Sequence, residues 1–86
     1  MQVPQTLTVN NAGQILEAGL QAIAKGRADF DLGDLASFDS AAAATLLAWQ
    51  RAARARGLSL QLRRLPSGLS GLIVLYGVSG LLPVSA

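Results

Sequence analysis

Short stretches of alternating apolar and polar residues are each followed by a longer stretch with helical spacing. That order constrains the fold more than any single residue. Thr6-Leu-Thr-Val9 alternates as a half-buried strand does. Asn11-Ala-Gly-Gln14 then has the spacing of a capping box, with an amide three residues after a good N-cap. Ile15, Leu16, Leu20, Ile23 and Ala24 recur at intervals that mark one face of a helix, and Lys25-Gly26 is its stop. Ala28-Asp-Phe-Asp-Leu32 reads as a second strand and Gly33 to Phe38 as a loop. An alanine-rich helix runs from Ser40 to Arg56 and closes at Gly57. Leu58, Leu60 and Leu62 alternate with polar residues in a third strand. Ser67 caps a third helix that carries Leu69, Leu72, Ile73 and Tyr76 on one face, with Gly77 after it and Leu81-Leu-Pro83 closing the domain. The order β-α-β-α-β-α predicts a sheet whose strands are joined by right-handed helical crossovers.

A chain of 86 residues forms one domain, residues 1–86, with a small core. At 51% hydrophobic and 14% charged residues it is too apolar to stay disordered. It has no cysteine and no histidine, which removes disulfides, thiolate nucleophiles, the commonest metal ligand and the commonest general base. No catalytic residue, cofactor or metal site is therefore expected. Asp31 and Asp34 around Gly33 are expected to fix a loop, not to hold a cation. Asp29 and Asp31 fall on one side of a strand by its period of two.

Charge is divided along the chain. Residues 1–39 hold all five acids against Lys25 and Arg27, whereas residues 40–86 hold five arginines and no acid. With no lysine and no interleaved aromatics, those arginines make a poor phosphate-tracking stripe. An acidic protein partner is expected and nucleic acid is not. The uncharged tail from Leu65 to Ala86 is broken by Pro66, Pro83 and four glycines. Its continuous apolar stretch, Leu72 to Tyr76, falls far short of the ~20 residues of a membrane span. A buried helix and a cytoplasmic protein without its own membrane span are expected, since no targeting segment opens the chain.

The segment around Ser40 carries the functional signal. At ~100° per residue, Ala42, Leu46, Trp49 and Ala53 gather on one side of the helix and Ser40, Ala44, Leu47, Arg51 and Arg54 on the other. The first group predicts a core face, with Trp49 as its anchor and an indole N–H in need of a partner. The second, with Asp39 and Ala43, predicts an interaction surface. A serine or aspartate at a helix start commonly does no more than cap it. A phosphate on Ser40 would nonetheless be welcome at the helix start and would add nearly two negative charges to the outward face. Tyr76 is expected to pack its ring with its hydroxyl near the surface, and Arg63 and Arg64 to be solvated.

Phe30-Asp-Leu32, a short loop, Phe38-Asp-Ser40 opening a helix, Trp49, the arginine-rich end through Gly57, Leu58-Ser-Leu-Gln-Leu62, Leu75-Tyr-Gly-Val78 and Leu81-Leu-Pro83 together resemble a STAS domain, from Leu7 to Pro83. The ending is similar to that of the small STAS subunit of the Mla phospholipid-transport ABC system. The resemblance implies the anti-sigma factor antagonist-like α/β fold, a small mixed sheet of about three or four strands with about three helices. It also implies a non-catalytic subunit. That subunit binds the cytoplasmic ATPase of an ABC transporter, in a complex with a membrane permease at the inner membrane. Its contact surface would be Asp39, Ser40, Ala43, Ala44, Leu47, Arg51 and Arg54. The alternative within the family is an anti-sigma factor antagonist controlled by phosphorylation of Ser40. Antagonists usually have glycine two residues after that serine, where this chain has Ala42. Many members begin with an extra strand. Only six residues precede Leu7, so that strand is expected to be missing or very short, which leaves self-association through an uncovered edge open.

Overall fold

The computed structural model describes residues 1–75, with side chains described through Gly71. Its elements are β1 (Thr6–Leu7), α1 (Ala12–Ala24), β2 (Asp29–Asp31), β3 (Ser37–Phe38), α2 (Ser40–Ala55), β4 (Gln61–Arg63) and α3 (Ser67–Leu75). This is the expected small α/β domain with three helices, plus one short strand where a loop was read. Every strand pairing among the described residues is parallel: β1 with β3, and β2 with β4. The antiparallel pair that would make the sheet mixed is not among them. The expectations for Tyr76, Gly77 and Leu81-Leu-Pro83 lie outside the described residues, as do those for the side chains of Leu72 and Ile73.

The beginning of the chain joins the two pairs. The Val3 amide donates to the Asp31 carbonyl and the Asp31 amide to the Met1 carbonyl, each at 2.9 Å. Residues 1–7 thus run beside β2 first and β3 second, with Pro4, which has no N–H to give, between the two contacts. From the bridge Gln2–Asp31 to the pair Thr6–Ser37 one side advances four residues and the other six. The turn at Gly33 and Asp34 takes up the difference, while Leu32 and Leu35 on either side of it enter the core. The expected loop is therefore a break in a strand. The residues before Leu7 do not form a strand of their own.

Strand boundaries shift elsewhere too. Thr8 and Val9 leave the sheet, because the Thr8 carbonyl accepts from the amides of Asn11 and Ala12 in a turn. Asn11 is the N-cap of α1 but makes no side-chain cap. Its Oδ1 accepts from the Thr8 amide and its Nδ2 donates to the Thr6 carbonyl, so it locks the turn behind it. At β4 the alternation is right, with Leu60 and Leu62 buried, but the ladder covers only Gln61–Arg63. Leu58 instead ends α2: its amide reaches the Ala53 carbonyl while the Gly57 amide reaches that of Arg54. Gly26 and Arg27 close α1 in the same way, and both glycines have positive φ, +84° and +72°. At α3 the Pro66 carbonyl accepts the first amides, and Ser67 is the first helical residue rather than the cap.

The core lies between the sheet and the facing sides of α1 and α2. Ile23 is buried on α1, with Ile15, Leu16 and Leu20 packed at the margin, whereas Ala24 turns outward. Ala42, Leu46, Trp49 and Ala53 of α2 are all fully buried, as their spacing predicts. Trp49 stacks on Phe30 of β2 with ring centroids 4.3 Å apart and planes 10° from parallel. Its Nε1 donates to the Leu16 carbonyl at 3.1 Å, which satisfies the one polar atom of the ring. Gly19 makes this approach possible, since a Cβ there would collide with the indole. No helix among the described residues is long and apolar enough to cross a membrane.

Candidate functional site

The start of α2 is held by one side chain. Asp39, in extended conformation at φ −133°, accepts from the Ala41 amide through Oδ1 at 2.9 Å. Its Oδ2 accepts from the Val9 amide at 3.1 Å. One carboxylate therefore caps the helix and fastens the β1–α1 turn beside it. Thr45, one turn further on, is buried and returns its hydroxyl hydrogen to the Ala41 carbonyl at 2.8 Å. With the cap supplied by Asp39, Ser40 stands exposed on the first turn, beside amides that carry partial positive charge.

Ser40, Ala44, Arg51 and Arg54 are exposed along one side of α2, and Leu47 among them is half-buried. Asp39 is also half-buried, at the end of this strip. Ala43 departs from the expected set: it is 5% exposed and belongs to the core. On the wheel it falls beside Leu47, on the flank that turns toward the domain rather than toward solvent. Val9 was read as part of a strand. It is instead 76% exposed in the turn that Asp39 fastens next to Ser40. The Asn10-Asn11 pair was the signal for that turn.

The acids and the last two arginines form a separate cluster at β2 and β4. Arg63 pairs with Asp29 at 2.5 Å. Arg64 holds Asp31 with two hydrogen bonds, Nε to Oδ1 at 3.0 Å and Nη2 to Oδ2 at 2.6 Å. Neither arginine is merely solvated, although both remain largely exposed. Arg64 adopts φ +55°, and its guanidinium lies over Gly33, where a Cβ would collide with it. Asp31 also accepts from the Gly33 amide at 2.9 Å, and Asp34 accepts from Gln2 at 3.0 Å, so both fix the turn as expected. The Arg64 hydrogen bonds, then that of Gly33, hold the Asp31 carboxyl below its ordinary pKa, and Asp31 in turn raises that of Arg64.

The two groups of arginines differ in what they face. Arg63 and Arg64 have acids of this domain, while Arg51 and Arg54 have no ion pair among the described residues. The outward side of α2 is thus a basic strip with a small apolar centre and a serine at its head, an arrangement suited to recognition.

A family model described as "Mlab, STAS domain" matches residues 2–83, nearly the whole chain. No curated protein matches it.

Proposed function

We propose that this chain, which belongs to the STAS domain family, is a non-catalytic accessory subunit that docks on the cytoplasmic ATPase of an ABC-type phospholipid transporter of the Mla kind and supports its assembly or activity. The observation that carries the reading is the outward side of α2. Ser40, Ala44, Arg51 and Arg54 are exposed around Leu47, in a helix without an acid. A strip of this kind binds by covering its apolar centre and neutralising its rim. The ATPase lies in a complex with a membrane permease, and this chain reaches the inner membrane only through that partner. The ending similar to the small Mla subunit supports the choice of transporter.

A second reading, an anti-sigma factor antagonist switched by phosphorylation, draws on Ser40 itself. Its exposure beside the free amides of the first turn suits a phosphate. One experiment separates the two. The tagged chain and its Leu47→Arg variant are purified from the host and their companions identified by mass spectrometry. The transporter reading predicts an ABC ATPase with its permease, lost in the variant. Recovery of a serine kinase-like anti-sigma factor in its place would sink that reading and favour the second.

A further inference from the structure

The C-terminal half of α2 and residues 58–61, which lead into β4, enclose an open depression of about 410 Å³. Gln50, Arg54, Leu58, Ser59, Leu60 and Gln61 line it. Gln50 Oε1 is buried and has no hydrogen-bond partner among the described residues. Arg54, one turn along the same side of the helix, is exposed and has no acidic partner among the described residues. A buried acceptor without a donor is a cost in the free domain that a docked N–H would remove. A guanidinium at the same place asks for a carboxylate. On the wheel Arg54 and Gln50 fall about 20° and about 60° to one side of Leu47, so the depression borders the strip along one edge.

We infer that this depression receives an acidic segment of the protein partner, with a carboxylate on Arg54 and the backbone N–H beside it on Gln50 Oε1; the inference rests on the reading of α2 as the docking side. A single aspartate or glutamate supplies both groups within one residue, since its amide lies a few bonds from its carboxylate. The charge balance points the same way, because α2 bears two arginines, with Arg56 just beyond its end, and no acid. The depression is too open to sequester a small ligand, which a binding cavity would have to enclose on most sides. Leu58 and Leu60 give the segment's aliphatic carbons an apolar floor.

The test is calorimetric titration of the purified chain with the ATPase recovered above, at low and high salt. The proteins compared are wild type, Leu47→Arg, Gln50→Leu and Arg54→Gln. Gln50→Leu is expected to melt no lower than wild type, because it removes the orphaned acceptor, yet to bind roughly fivefold or more weakly. Arg54→Gln is expected to bind about tenfold more weakly and to lose part of the salt dependence. Loss of binding in Leu47→Arg while Gln50→Leu and Arg54→Gln bind as wild type would leave α2 as the docking side and overturn the acidic-segment contact. A wild-type chain that does not bind the ATPase would overturn both.

Discussion

The two sides of α2 obey different rules. On the inner side each large group has a fixed neighbour: Trp49 has Phe30 on its face, the Leu16 carbonyl on its nitrogen and Gly19 beneath it. On the outer side Arg51 and Arg54 have no acidic partner among the described residues, and Gln50 carries an acceptor with no donor among them. The pair at the end of β4 shows that the domain can satisfy an arginine, since Arg63 and Arg64 each hold an acid. Arg51, Arg54 and the Gln50 oxygen fall on the same helix, where a single partner could satisfy them together. Stability resides on the inner side and, on the proposed function, recognition on the outer, so substitutions should separate the two.

The largest effect should come from Trp49→Ala. It removes a fully buried ring, its stacking on Phe30 and the hydrogen bond to Leu16. A loss of about 3–5 kcal/mol is expected, a large part of the stability of a domain this small. Urea unfolding measures it. A loss under about 1 kcal/mol would mean that α2 is not anchored through this ring, and the division between its sides would fail.

The inner side was legible because burial imposes a period. Ala42, Leu46, Trp49 and Ala53 could be read as one face since a helix must return to the core every 3.6 residues. The outer side was legible only by elimination, and Ala43, at its edge, fell on the wrong side of the boundary. What the sequence hid was long-range or short. β3 is two residues long and exists because residues 5–7 lie beside it, about thirty positions away in the chain. Gly19 carries no signal of its own; its reason is the indole of Trp49 on another helix. Gln50 looked like any polar residue on a helix, and only burial of one of its two polar atoms distinguishes it.

A smaller effect should follow from Asp39→Ala. The variant leaves the Ala41 and Val9 amides without their carboxylate acceptor while the core contacts stay in place. Loss of such a cap costs about 1 kcal/mol, and the second hydrogen bond places the expected value in the upper part of a range of about 0.5–2 kcal/mol. Hydrogen exchange sharpens the comparison: protection should fall at residues 8–11 and 40–42 together and be unchanged at Trp49. Unaltered exchange in residues 8–11 would show that the turn is held without Asp39.

The smallest effect concerns the satisfied arginines and depends on pH. Arg64, and after it the Gly33 amide, holds the Asp31 carboxyl below its ordinary pKa in the folded chain. A carboxyl with a depressed folded value contributes stability that is fully present above the ordinary value. That stability is lost as the pH falls through the folded one, because protons then bind the unfolded chain first. The difference between wild type and Arg64→Gln should therefore be constant near neutrality and shrink in acid. Whatever separates the two for reasons other than charge persists at every pH, and the cost of φ +55° at this position is common to both. With the Arg64 side chain 64% exposed, water and salt screen the pair, so the pH-dependent part should be small and weaken further in high salt. Unfolding free energies measured from neutrality into acid decide the matter. If the difference between the two proteins does not change with pH, the Arg64 hydrogen bonds are not what holds Asp31 ionised, and the contrast between satisfied and unsatisfied arginines loses its internal half.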